Sequence, residues 1–515
     1  MTRDRRPGFH RSLRVRAASL AVLSFAVFGA APAWADEATD ARIAALEEQL
    51  AELQTQIADL KESTTSGIQA VREDQRVTSV SLAGGRPTFA TGDGQFTASI
   101  RGVLQLDAAS YDQDAPGPLA TDFRRGSFGD AGENDHARDL TDGANFRRAR
   151  LGIEGKAFGV WNYNFLYDFG GSGTEEAGKI SSAWVEYASF APVRIRVGAF
   201  SPPAGLEEAT STNGSVFAER ASPAELVRGI ASGDGRTAIA LLANGDRWNV
   251  SAAISGNVIG TSTYDEQLAF VGRATWVPLK GFDWLVHVGA STTQVFEPAK
   301  AGPDVAPGVN SPIRLRDRPE LRVDGTRLVD TGNIDSEGLS EWGVEFAAQR
   351  RNLYVQAEYF DIHVERRASL LPDPDFSGWY VQGAWTLTGE PRRYNAATAT
   401  FDSPRGEKPF NRQTGDWGVW ELGLRYSSLD LNYREGVEGG ATPFGGVRGG
   451  EQEITTVSLN WYPNSAVRFQ AAWQNVSVDR LSPGGTAFLA GSTPPNGAQV
   501  GQDLNIFSLR TQYAF

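Results

Sequence analysis

Leu504-Asn505-Ile506-Phe507-Ser508-Leu509-Arg510-Thr511-Gln512-Tyr513-Ala514-Phe515 is the stretch on which the fold turns. From Phe507 onward, alternate positions carry Phe507, Leu509, Thr511, Tyr513 and Phe515, mostly apolar, while Ser508, Arg510, Gln512 and Ala514 between them are polar or small. A period of two describes a strand with one apolar face and one wet face. In a soluble sandwich the apolar face would meet a core, and a chain seldom stops on an exposed aromatic. In an outer-membrane barrel that face meets lipid, the wet face meets a channel, and the last strand pairs with the first so that no edge remains.

The pattern recurs upstream. From Gln95, the residues Phe96, Ala98, Ile100, Gly102, Leu104, Leu106 and Ala108 share one face, opposite Thr97, Ser99, Arg101, Gln105 and Asp107. Phe146 to Phe158 turns Ala149, Leu151 and Ile153 outward and Arg148, Arg150, Glu154 and Lys156 the other way. Trp161, Tyr163, Phe165, Tyr167 and Phe169 then alternate with Asn162, Asn164, Leu166 and Asp168. Five aromatics on one strand face are hard to pack in a soluble core and natural against lipid and its interfaces. Further strands are expected near 178–190, 193–200, 236–244, 246–258, 267–278, 283–296, 340–350, 352–365, 376–389, 416–428, 451–462, 466–478 and 504–515. The fold class is therefore all-β: an antiparallel transmembrane barrel of about sixteen strands, an even count as bacterial barrels require.

Connection lengths test this count, because such barrels alternate short periplasmic turns with long outer loops. Short connections fall near Gly159, Ala191-Pro192, Gly245-Asp246, Gly281, Arg351 and Pro463-Asn464. Long ones are 112–144, 201–235, 297–339, 366–375, 435–450 and 479–503, with 170–177 and 259–266 of middling length. Residues 390–415 break the rule, being long where a turn is due, so they are either a periplasmic excursion or an overlooked pair of strands.

Six arginines, Arg3 to Arg16, precede an apolar run from Ala17 to Ala31 and the small residues of Ala33-Trp34-Ala35, which reads as a signal peptide over 1–35. The formal charge is −13, and taking away a leader of +5 leaves about −18, which argues against a nucleic-acid partner. The chain has no Cys, so disulfides, thiol chemistry and lipid attachment at a cysteine are excluded. Gly at 57 of 515, with 13 Trp and 27 Phe, suits many short strands, frequent turns and interfacial aromatics. Over 36–75 one heptad seam stands out: Ile43, Leu46, Leu50, Leu53, Ile57 and Leu60 are spaced 3, 4, 3, 4, 3. A helix this short is marginal alone; on each subunit of an oligomer it would zip into a periplasmic coiled coil of two or three strands. The alternative is an amphipathic helix lying on its own barrel. Residues 76–94 read as a linker, and 95–515 as the barrel.

The order of motifs resembles the phosphate-selective porin O and P family. Phe146-Arg147-Arg148-Ala149-Arg150-Leu151-Gly152-Ile153-Glu154-Gly155-Lys156 is similar to an early-strand signature of that family. So are Val197 to Ser211 with Phe217-Ala218-Glu219-Arg220, and Leu387 to Glu390 with Tyr394 and the run Trp420 to Ser427. The resemblance spans 95–515 and implies a sixteen-stranded, homotrimeric outer-membrane barrel taking up small anions, phosphate among them, by diffusion. It also implies that loop 201–235 folds into the barrel and narrows it.

A pore selects by its size and its lining charges, and Arg suits phosphate because its planar fork donates two parallel hydrogen bonds and stays charged. The anion-path candidates are Arg101, Arg148, Arg150 and Lys156 on early strands and Arg194 and Arg196 leading into loop 201–235. Arg220 and Arg228 lie within that loop, and Arg236 stands at its far end. The bland reading pairs these arginines with Glu186, Glu207, Glu208 and Glu219, shaping the field without binding anything. Loop 297–339 adds Arg314, Arg316, Arg318, Arg322 and Arg327, diluted by Asp317, Asp324 and Asp330. Phosphate-specific members would carry lysines at the constriction, whereas Lys300 is the only one in that loop. A general small-solute porin therefore stays open, as does a tether joining outer membrane to cell wall through the coiled coil. His136, His287 and His363 are scattered, and no HExxH, GxSxG or Gly-rich phosphate loop is present, so neither catalysis nor a cofactor or metal is expected.

Overall fold

The computed structural model describes residues 37–74, 78–82, 85–113, 140–171, 178–303, 308–484 and 496–515. The expected leader, 1–35, and most of loop 112–144, with its His136, lie outside the described residues. Two compact units emerge, Met1–Asp74 and Gln75–Phe515. The first is helix α1, Glu37–Asp74, whose seam residues Ile43, Leu46, Leu50, Leu53, Ile57 and Leu60 are all exposed.

The second unit is a closed antiparallel barrel of sixteen strands. They are β1 Thr97–Gln113, β2 Gly143–Ala157, β3 Trp161–Asp168, β4 Lys179–Phe190, β5 Val193–Ala199, β6 Arg236–Asn244, β7 Trp248–Val258 and β8 Leu268–Lys280. The others are β9 Trp284–Glu297, β10 Ile334–Arg350, β11 Leu353–Arg366, β12 Asp375–Thr386, β13 Val419–Tyr433, β14 Val447–Tyr462, β15 Val467–Asp479 and β16 Asp503–Ala514. Each strand pairs with the next, and β16 closes on β1 through Leu509↔Ala108 and Tyr513↔Leu104. The sixteen expected strands are these sixteen, several of them longer than expected at the long-loop end.

Two segments add detail to the sequence reading. Within 76–94, read as a linker, Thr78–Ser81 pairs with Thr88–Thr91, which lies beside β1 through Phe89↔Ala98. Residues 390–415 hide no extra wall strands, because β12 and β13 are direct neighbours. Their first part instead forms a small hairpin, Arg393–Asn395 with Thr400–Asp402, that turns into the lumen.

Toward the short-turn end, outward residues are apolar and inward ones polar. Leu509 and Trp473 are exposed, while Arg510 and Gln474 are buried. Toward the long-loop end the polarity reverses: Val476, Val478, Leu504, Ile506, Ile362 and Val364 point inward and are buried. Asp361, His363, Ser477 and Asp503 alternate with them on the outer face. The reversal marks where lipid gives way to water. Aromatic pairs sit at that level, Trp342–Tyr359 at 5.6 Å and Trp379–Tyr426 at 5.4 Å. A second belt lies near the short turns, with Trp420 and Phe469 each stacked on Trp461 at 5.5 Å. Two aromatic girdles bounding an apolar band are the mark of a membrane barrel.

The inward apolar residues of β8–β16 form a core with two loops that fold into the barrel. Loop 200–235 carries α2, Leu206–Ala209, and α3, Ser222–Ala231, which buries Ala224, Leu226, Val227 and Ala231. Loop 298–333 contributes Leu315, Leu321, Leu328 and Val329 to the same core. Arg425 on β13 ties both loops to the wall: it meets Glu207 at 3.3 Å, pairs with Glu320, donates to the Glu219 carbonyl and lies 4.3 Å from the Phe217 ring centroid. Glu358 on β11 accepts the backbone N–H groups of Leu206 and Glu207 at 2.6 and 3.0 Å.

Candidate functional site: a passage lined with arginine

Because the inward loops pack against β8–β16, space remains on the opposite side, between them and β1–β7. It consists of two cavities that share Arg150 and Asp234. The one nearer the short turns is about 280 Å³ and is lined by Arg101, Arg150, Arg194, Arg196 and Arg220 among others. The one nearer the long loops is about 160 Å³ and carries Arg147, Arg148, Arg150, Lys179, Arg228, Arg236 and Arg322. Eight of the nine residues named from sequence thus line one or other of these cavities. Lys156 lines neither cavity; its place on β2, one residue from the end, puts it beside the short-turn rim.

Each guanidinium is held by a partner. Arg101 meets Glu154 at 2.7 Å, and Arg150 meets Asp168 at 2.6 Å and also Asp234. Arg196 bonds Glu186 at 2.7 Å and lies 4.1 Å from the Trp184 ring centroid; Arg194 donates to Asn244 and stands 3.7 Å from Glu186. Arg220 donates to the carbonyls of Glu207 and Glu208, and Arg228 meets Asp234 at 2.7 Å and Glu225 at 3.3 Å. Arg236 has no carboxylate partner among the described residues and donates to the carbonyls of Ser232, Gly256 and Gly229. Its charge is therefore uncompensated locally.

Asp234 sits between Gly233 (φ 99°) and Gly235 (φ 73°), backbone angles that favour glycine, and a Cβ on Gly235 would meet the Ile180 carbonyl at 2.6 Å. This tight turn holds the carboxylate at the junction of the two cavities. Burial opposes its ionisation, but Arg150 and Arg228 hold it well below the usual carboxylate range. Glu219 behaves likewise: burial raises its pKa, and Arg147, Arg148 and Arg510 carry it well below the ordinary value. Both acids thus stay ionised and fix the arginines in place.

Arg147 was not readable from period two, which would turn it toward lipid. The register of β1 against β2 slips there, from Gln105↔Arg148 to Leu106↔Phe146. This bulge aims two successive arginines inward, and both reach Glu219, Arg147 at 2.9 Å and Arg148 at 3.3 Å. The signal available in the sequence was the Arg147-Arg148 pair itself, since an arginine facing lipid at mid-membrane is costly. Lys179 and Arg322 were also missed as lining residues. Arg322, 2.5 Å from Glu225, reaches the passage only because its loop folds inward.

Eleven cations line the two cavities, against three acids: Asp168, Glu208 and Asp234. Adding the carboxylates behind them, Glu154, Glu186, Glu219 and Glu225, brings the acids to seven, so that among the described residues the cations outnumber them by four. Such an excess within low-dielectric walls attracts anions.

Residues 119–515 match the family model described as phosphate-selective porin O and P. The chain is 28% identical over 407 residues to Porin O of Pseudomonas aeruginosa, covering 76% of this chain and 86% of that protein. Similar solved structures include an anion-selective porin from Comamonas acidovorans (11% identity, 82% of this chain and 100% of that one, TM-score 0.42). The outer membrane channel DcaP of Acinetobacter baumannii is another (11% identity, 82% and 97%, TM-score 0.43).

Proposed function

Because the chain belongs to the phosphate-selective porin O and P family, we propose that it is an outer-membrane porin passing small anions, phosphate and related oxyanions foremost, along the arginine-lined side of its lumen. The supporting observation is that, among the described residues, eleven cations against seven acids line or back the two cavities that run past Arg194 and Arg196 to Arg228 and Arg236. Guanidinium forks match oxyanions in shape and charge. Each is already engaged by a carboxylate or a carbonyl, so its hold on a passing anion is moderate. That suits conduction, which fails when a site binds too tightly. The net acidity of the chain does not oppose this, since the field in a narrow pore follows its nearest charges. A general small-anion porin is the second reading, favoured by Lys179 being the only lysine among the described residues that line the passage.

The test is the double substitution Arg194→Glu with Arg196→Glu, read as anion-over-cation permeability in a planar bilayer. The proposal expects the anion preference to fall strongly or reverse. Unchanged permeability would remove both residues from the path.

We infer further that three copies assemble and that the exposed seam of α1, Ile43 to Leu60, is covered by the same helix from neighbouring subunits. A tether role through this helix is separable from transport: a chain lacking 36–75 should still conduct, whereas a pure tether would lose its phenotype.

A further inference from the structure

Helix α3 has a second side. Arg228 faces the passage, while Leu226 and Ile230 border another cavity, of about 300 Å³, between α3, the upper ends of β8–β10 and loop 298–333. Its lining differs in kind from that of the passage. Leu226, Ile230 and Leu339 supply an apolar wall, and Arg314, Arg316 and Arg327 supply three guanidiniums, with Glu225 in the lining and Asp330 behind Arg314. Arg314 is pinned to Asp330 through Nε and Nη2, at 2.8 and 2.5 Å, which fixes its direction. Gly229 lines both this cavity and the outer cavity of the passage, and a Cβ built there would meet nothing within 4 Å. The two spaces therefore approach each other across a helix position with no side chain.

We propose that this cavity binds anions carrying an apolar body, such as aryl or short alkyl phosphonates and carboxylates, ahead of the arginine passage. A hydrated inorganic anion gains nothing from this apolar wall, where Leu226 and Leu339 are buried and Ile230 is partly buried, whereas an apolar group can extend their packing. An anion with a ring or short chain satisfies both walls, its head on the guanidiniums and its body on the leucines and isoleucine. Gly229, common to both linings, is where a bound anion would come nearest to Arg228 and Arg236. The inference rests on the anion-path reading for its second step, but the binding step stands apart.

The probes are phenylphosphonate and methylphosphonate, which share a headgroup and differ by the ring. Calorimetric titration of the full-length protein in detergent should give phenylphosphonate an affinity at least tenfold higher. Arg314→Gln should weaken both probes, and Ile230→Gln should remove the difference between them, in variants that still run as folded barrels on an unheated gel. Equal affinities for the two probes, or a ring preference that survives Ile230→Gln, would overturn the proposal. The same samples in a bilayer separate the two readings. Ring-dependent binding without anion selectivity sinks the passage and keeps this site; selectivity without ring-dependent binding does the reverse.

Discussion

Strands β1–β7 and β8–β16 build equally regular parts of one wall, yet their inner faces meet different things. Inside β8–β16, two outer loops and the 393–402 hairpin pack on residues such as Phe360, Tyr380, Leu429 and Ile506, which are buried in apolar clusters. Inside β1–β7 the loops meet the wall through polar contacts such as Arg147–Glu219 and Arg150–Asp234, and the space left between is lined by arginines held on carboxylates. Pairing and register set the wall in both parts. What separates a plug from a passage is where the inward apolar residues lie, because loops 200–235 and 298–333 bury Leu226, Val227, Leu315, Leu321, Leu328 and Val329 in a cluster drawn mostly from β8–β16. The lesson is that selectivity here depends on asymmetric packing as much as on the charges themselves.

The strongest way to break the comparison is to empty the filled side. Replacing 204–232 by a short Gly-Ser link should raise single-channel conductance several-fold and remove most of the anion preference, since Arg220, Arg228 and the apolar face of α3 go together. Unchanged conductance would mean the loop does not narrow the pore. Next in size is Arg425→Ala. It leaves Glu207 and Glu320 buried without their counter-charge, a loss of about 3–5 kcal/mol for a broken buried pair, read as a lower unfolding temperature. If the shift matched that of an exposed pair such as Arg351–Asp283, Arg425 would not be the anchor. Glu358→Gln is milder. It weakens acceptance of the Leu206 and Glu207 N–H groups, at roughly 1–3 kcal/mol, and should appear as added current fluctuations rather than unfolding; a quiet trace would argue against the latch.

The smallest effect concerns pH. Burial pushes Asp317 in loop 298–333 up to about 7, with the hydrogen bond from Ser222 opposing and the Glu225 charge adding to the rise. A raised pKa means the packed loop favours the protonated acid, so its docking weakens as pH climbs from about 4 to about 7 and levels off above. Hydrogen exchange of 315–330 should follow that curve in the unaltered protein and lose the slope in Asp317→Asn. A slope that persists in the variant assigns it to another group.

Much of the wall was legible because period two is a local signal repeated sixteen times, and lipid punishes a slip of register. The Phe507–Phe515 strand, the aromatic face of β3 and the short turns at Gly159 and Ala191-Pro192 all read directly. The filled side was less legible. Helix α3 had its start written in Ser222-Pro223-Ala224-Glu225, with proline near the first helical position and an acid in the first turn, but nothing local says which wall it meets. Loop 298–333 alternates charges with single leucines, and its burial depends on Arg425, Ser427 and Gln452, more than 90 residues away in sequence. Arg147 was lost to a bulge, and the polarity reversal above the girdles hid the inward apolar residues of β11 and β13–β16.

The central claim is that the passage along β1–β7 prefers anions. The most direct measurement is the zero-current potential of single channels under a KCl gradient, repeated with added phosphate. The account predicts a potential set by chloride and a current reduced by millimolar phosphate; a cation-selective potential would contradict it.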